Sequence, residues 1–80
     1  MKVQVQIRLK KGVADPEGDN TLKALNLLGF KGLAGVRSAK LFEIELAEED
    51  RERARDHVEE MCRRLLANPV IQDYSIELMS

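Results

Sequence analysis

Three stretches of this 80-residue chain alternate apolar with polar residues, and the two stretches between them repeat apolar residues at helical spacing. That order limits the fold more than any other feature. In residues 2–10, Val3, Val5, Ile7 and Leu9 fall on one side of an extended chain, and Gln4, Gln6 and Arg8 fall on the other. Such a strand has one dry face and one wet face. The alternation returns from Lys40, with Phe42, Ile44 and Leu46 opposite Glu43 and Glu45. It returns again near the end, with Tyr74, Ile76 and Leu78 opposite Ser75 and Glu77.

Helices are expected between the strands. Asp15-Pro16-Glu17-Gly18 reads as a turn with Asp15 as N-cap, its carboxylate accepting amides that the first helical turn leaves unpaired. From about Asp19, Leu22, Leu25 and Leu28 recur with Leu27 alongside, and Gly29 supplies the permissive residue at which helices stop. A second helix opens at Ala47-Glu48-Glu49-Asp50 and carries Ala54, Val58, Met61, Cys62, Leu65 and Leu66 as one apolar stripe. Glu49/Arg53, Glu59/Arg63 and Glu60/Arg64 are i,i+4 pairs, and Asn68-Pro69 ends the helix.

The pattern predicts an α+β fold: an antiparallel sheet with two helices on one face, in the order β-α-β-(β)-α-β. The bracketed strand depends on Val36–Leu46. A hairpin near Arg37-Ser38-Ala39-Lys40 lacks the Gly, Asn or Asp that a primed turn needs, so one long, bent central strand is favoured. Eleven residues at about 3.3 Å each would span about 36 Å, twice an ordinary strand, and offer one end to another chain. Eighty residues make a single domain, 1–80, with little core. One cysteine, Cys62, excludes an intrachain disulfide, so oligomerisation or docking onto a partner is the expected supplement.

Thirteen basic and 14 acidic residues give a net charge of −1, and with no Trp and only Phe30, Phe42 and Tyr74 there is no base-stacking platform. No nucleic-acid partner is expected. No apolar run approaches the roughly eighteen residues of a membrane span, and Met1 to Gln6 lacks a signal-peptide core. A cytoplasmic address without membrane attachment is the expectation.

Reactive chemistry is sparse. His57 and Cys62 are the one nucleophile and base pairing available, and five residues on a helix separate them by roughly 140° around its axis. They cannot meet. Cys62 reads as a buried thiol within the apolar stripe, and His57, beside Asp56, Glu59 and Glu60, as a solvated helix residue. One His and one Cys do not furnish a zinc site. Gly29, Gly32 and Gly35 lack the lysine and following helix of a phosphate loop. No catalytic, cofactor or metal residue is expected.

Asp15-Pro16-Glu17-Gly18 and Leu65-Leu66-Ala67-Asn68-Pro69-Val70-Ile71 join helix punctuation to apolar residues. As structure they are caps. As function, Val70 and Ile71 cannot both face one side of a strand, which suits an interface.

At these stretches the chain resembles the PurS family, the small subunit of bacterial and archaeal phosphoribosylformylglycinamidine synthase. The matching residues are Asp15-Pro16-x-Gly18, Ala24-Leu25-x-x-Leu28-Gly29-Phe30, Val36-Arg37, Lys40, and Met61-Cys62-x-x-Leu65-Leu66-Ala67-Asn68-Pro69-Val70-Ile71, with Tyr74 beyond. The resemblance runs nearly end to end. Ala39 stands where the family usually has Gly, and Gln72 where it usually has Glu.

The resemblance implies a noncatalytic subunit of de novo purine biosynthesis. In the family a PurQ-type glutaminase releases ammonia, a PurL-type synthetase uses ATP and magnesium to convert formylglycinamide ribonucleotide to the amidine, and the small subunit bridges them and assists ammonia transfer. Implied partners are those two subunits and further copies of the chain, as dimer or tetramer. Implied interface residues are Asp15, Pro16 and Gly18 at an exposed turn, Arg37 and Lys40 offering charge to partner carboxylates, and Asn68 and Pro69 placing Val70 and Ile71. The alternative is a small ligand-binding regulatory α+β domain, which calorimetry with purine nucleotides and amino acids distinguishes.

Overall fold

The computed structural model describes residues 1–79. Its elements are β1 (Lys2–Leu9), α1 (Pro16–Leu27), β2 (Ala39–Glu45), α2 (Arg51–Met61) continued by a π-helical turn (Cys62–Leu66), and β3 (Gln72–Leu78). The sheet order is β2-β1-β3, with the central β1 antiparallel to both neighbours. Val36–Leu46 contains no hairpin, but it is not an eleven-residue strand either: pairing begins at Ala39 and lasts seven residues. The cause is local. The Ser38 amide is given to the Asp15 carboxylate, which takes it out of the ladder.

Register assembles the core. Val3 lies between Ile44 and Leu78, Val5 between Phe42 and Ile76, and Ile7 between Lys40 and Tyr74. Side chains directly opposite one another in paired strands share a face, so apolar rows cross the whole sheet. Onto them α2 lays Ala54, Val58 and Cys62, all fully buried together with Val3 and Val5. Asp50 caps α2, its carboxylate accepting the amides of Glu52 and Arg53 at 2.9 and 3.2 Å. Glu49 therefore precedes the helix and makes no bond to Arg53. Glu59 instead accepts the Tyr74 hydroxyl at 3.4 Å, and of the three expected pairs only Glu60 with Arg64 forms, at 3.6 Å.

The apolar stripe of α2 divides at its end. The Ala67 amide donates to the Cys62 carbonyl at 3.0 Å, an i→i+5 bond. This wider turn rotates the chain less per residue than an α-helix. Leu66 and Ala67 turn toward the core, whereas Leu65 swings out to 83% exposure.

The placement of α1 corrects the expectation of two helices on one face. Only α2 lies on its own sheet; α1 has Gly18 as its sole buried residue, and Leu27 and Leu28 are 88% and 75% exposed. A Cβ at Gly18 would sit 2.5 Å from the Val36 carbonyl, so this glycine lets the first turn of α1 press against the returning linker. The helix is thereby sealed to residues 36–38 at the end of the sheet and not folded over it. The molecule measures 48 × 26 × 15 Å with a radius of gyration of 15.9 Å. A compact chain of this length would have about 12 Å.

Candidate functional site

The end of the sheet where β1 finishes and β2 and β3 begin gathers most of the residues singled out by the sequence. Asp15 is its organising side chain. One carboxylate oxygen accepts the Gly18 amide at 3.0 Å and the Ser38 hydroxyl at 2.7 Å, and the other accepts the Ser38 amide at 2.7 Å. These bonds, the Ser38 hydroxyl foremost and the nearby Arg37 charge least, hold the carboxyl below its usual value of 3.8. Asp15 is thus an N-cap and a clasp joining α1 to the start of β2. It is a buried structural group and not an exposed contact, whereas Pro16 beside it is exposed and Gly18 is buried.

Across the sheet end, Asn68 forms a second clasp. Its side-chain oxygen accepts the Val70 amide at 3.0 Å, its carbonyl accepts the amides of Ile71 and Gln72, and its own amide donates to Gln72 Oε1 at 2.8 Å. A glutamine at position 72 completes this ring without a charge. The turn presents Pro69 and Val70 to solvent, Val70 at 79% exposure, with Ile71 partly shielded. It is tied to β1 by the Lys10 amide donating to the Ile71 carbonyl at 2.8 Å. Asp15, Ser38 and the Asn68 turn thus flank the last residues of β1.

Arg37 and Lys40 are brought to this end but not to one surface. Arg37 leans over the end of β1, its guanidinium donating to the Leu9 carbonyl at 3.4 Å. Lys40 pairs with Ile7 and stands on the helix-bearing face, beside Glu17 and Gln72 in a small cleft of about 130 Å³. A partner reading both charges would have to wrap the edge of β2.

A second surface escaped the sequence. Beside the uncovered part of the sheet, Ile44, Met61, Leu65 and Leu66 line an open apolar cleft of about 460 Å³ rimmed by His57, Glu60 and Arg64. Helical spacing assigned Met61 and Leu65 to the core, and nothing in it signals the π turn that turns Leu65 outward. The exposed leucines at the end of α1, Leu27 and Leu28, are continued by exposed Phe30 and Leu33.

His57 and Cys62 do not form a reactive pair. Cys62 is fully buried, and burial together with the Glu59 charge pushes its thiol above 9.0, leaving little thiolate at neutral pH. Among the described residues no cluster of three or more metal-ligating side chains exists, and no helix is long and apolar enough to cross a membrane.

Comparison with known proteins agrees with this geometry. The family model for PurS, phosphoribosylformylglycinamidine (FGAM) synthase, matches residues 2–80. The PurS subunit of this synthase from Archaeoglobus fulgidus is 57% identical over 76 residues, 95% of each chain. The crystal structure of Methanocaldococcus jannaschii PurS, a subunit of formylglycinamide ribonucleotide amidotransferase, superposes with a TM-score of 0.87 at 50% identity, over 95% of this chain and 92% of that one. A chain of the PurLQS structure from Thermotoga maritima superposes with a TM-score of 0.85 at 27% identity, over 95% and 93%. A match across nearly the whole sequence, with the Asp15 and Asn68 clasps at one end of a three-stranded sheet, makes this chain a member of the PurS family, the small subunit of FGAM synthase.

Proposed function

We propose that this chain, acting as one unit over residues 1–80, is the noncatalytic bridging subunit of a cytoplasmic FGAM synthase. It joins a glutaminase subunit to an ATP-dependent synthetase subunit and assists ammonia transfer between them. The complex converts formylglycinamide ribonucleotide, glutamine, ATP and water to formylglycinamidine ribonucleotide, glutamate, ADP and phosphate. ATP and its magnesium belong to the synthetase. Ammonia released into neutral water is mostly protonated, and ammonium is no nucleophile, so a sheltered passage between the two active sites is worth a dedicated subunit.

The observation that carries this reading is the apolar surface the chain leaves uncovered. Exposed leucines along α1, and the open cleft beside Ile44, Met61 and Leu65, make no sense for a chain working alone. The PurS chain similar to this one in the Thermotoga maritima assembly sits with PurL and PurQ. Further copies of the chain, as dimer or tetramer, are the nearest cover for α1, and the clasped sheet end with Pro16, Arg37, Lys40, Pro69, Val70 and Ile71 is the surface offered to the other subunits.

The test is reconstitution from purified subunits. Synthetase plus glutaminase without this protein should use added ammonium salt but scarcely use glutamine, and adding the protein should restore glutamine-dependent turnover. Equal glutamine-dependent rates with and without it would sink the reading.

A further inference from the structure

The sheet face turned away from α2 carries a cleft that the bridging role has not yet used. Opposite Arg8 on β1 stands Ala39 on β2, whose methyl group leaves a depression between the strands. Arg8, Lys11 from the turn after β1, and Arg37 from the linker border this space of about 360 Å³, with Gln6 and Ser38 beside them. No carboxylate lines it, and among the described residues none of the three cations makes an ion pair. Two acidic groups on adjoining elements, Asp15 and Asp73, are engaged otherwise. Asp15 is bonded to Ser38 and Gly18, and Asp73, opposite Arg8 across β3, approaches Lys10 at 4.0 Å.

A chain of net charge −1 has therefore set three unpaired cations around one hollow. Part of that hollow is preorganised: Arg37 is braced on the Leu9 carbonyl, and its neighbour Ser38 is held twice by Asp15. Groups already in position lose little entropy on binding, and arginine forks match carboxylates two bonds at a time. No helix begins at the cleft to supply the amides of a phosphate cradle.

We propose that this cleft receives an acidic surface segment of one partner subunit of the synthase, its carboxylates paired with Arg8, Lys11 and Arg37. This rests on the bridging reading and adds the place of contact and the chemistry of the partner surface.

The test measures binding of the wild-type protein to the purified glutaminase and synthetase subunits separately, by biolayer interferometry, against R8E/R37E, R8Q/R37Q and A39L. R8E/R37E should weaken the Kd for one subunit at least tenfold, leave the other within twofold and keep the native mass. R8Q/R37Q, which adds no repulsion within the chain, should show the same selective loss in smaller measure, and A39L, which fills the hollow, should weaken the same partner. Wild-type affinity for that partner should fall as NaCl rises from 50 to 300 mM. Variants binding both subunits like wild type, or an affinity indifferent to salt, would overturn this proposal and leave the bridging reading standing. Wild-type protein binding neither subunit would overturn both. Inorganic phosphate binding below millimolar concentration, abolished in R8Q/R37Q, would make the cleft a small-anion site and overturn the docking proposal.

Discussion

Two residues, Asp15 and Gly18, decide where α1 goes. Gly18 is needed for closeness and not for backbone freedom: a Cβ there would meet the Val36 carbonyl at 2.5 Å and an Asp15 oxygen at 2.6 Å. Because the first obstacle is backbone, Gly18→Ala should cost about 1–3 kcal/mol in urea unfolding. A loss below a few tenths would show that the linker moves freely. Asp15 gives a prediction in pH. Its carboxyl is lowered by hydrogen bonds to Ser38 and Gly18, so between the folded value and 3.8 the unfolded chain binds the extra proton. Its contribution is therefore complete above 3.8 and is lost as pH falls through the folded value. Urea midpoints of wild type should fall more steeply between pH 5 and pH 2.5 than those of Asp15→Asn. Parallel curves would mean the clasp does not distinguish the two ionisation states.

Among the elements, α1 was legible in outline and misleading in use. The Asp15 cap, Pro16 at the first helical position and Gly29 past the end, with φ of 96°, bound the helix as their chemistry requires. Its leucine stripe, however, specifies only that the helix buries a face, not against which chain. In this fold nothing of the same chain lies over Leu27 and Leu28. Leu28→Glu should accordingly change the stability of an isolated chain by no more than about 0.5 kcal/mol, as for other surface substitutions. Yet it should lower the native mass measured by light scattering to that of a smaller species. An unchanged mass would remove α1 from the self-interface. In α2 the same ambiguity appears over one turn, where the π bond from Ala67 to Cys62 splits a stripe that spacing alone treats as continuous.

For the whole molecule, a core of three β1 residues, two α2 residues, Cys62 and Ala67 is small for 79 described residues stretched over 48 Å. A chain with so little interior depends on association, and association stabilises by mass action. The Tm should therefore rise by several degrees when protein concentration rises a hundredfold. A Tm independent of concentration would mean that the uncovered surfaces contribute nothing to folding of the free protein.

The order of elements, the face of each strand that is dry, the caps at Asp15 and Asn68, and the family were all present in the sequence, because each depends on neighbours within a few residues or on motifs copied intact. The partnering of those elements was not. Whether Val36–Ser38 joins a strand, whether α1 covers its own sheet and whether Leu65 points inward depend on Ser38 meeting Asp15, Val36 meeting Gly18 and a helix widening by one residue. These are encounters between distant or differently wound segments, and periodicity carries no information about them. The same holds for the cleft of Arg8, Lys11 and Arg37, three cations unremarkable along the chain, which pairing of β1 with β2 sets around one small alanine.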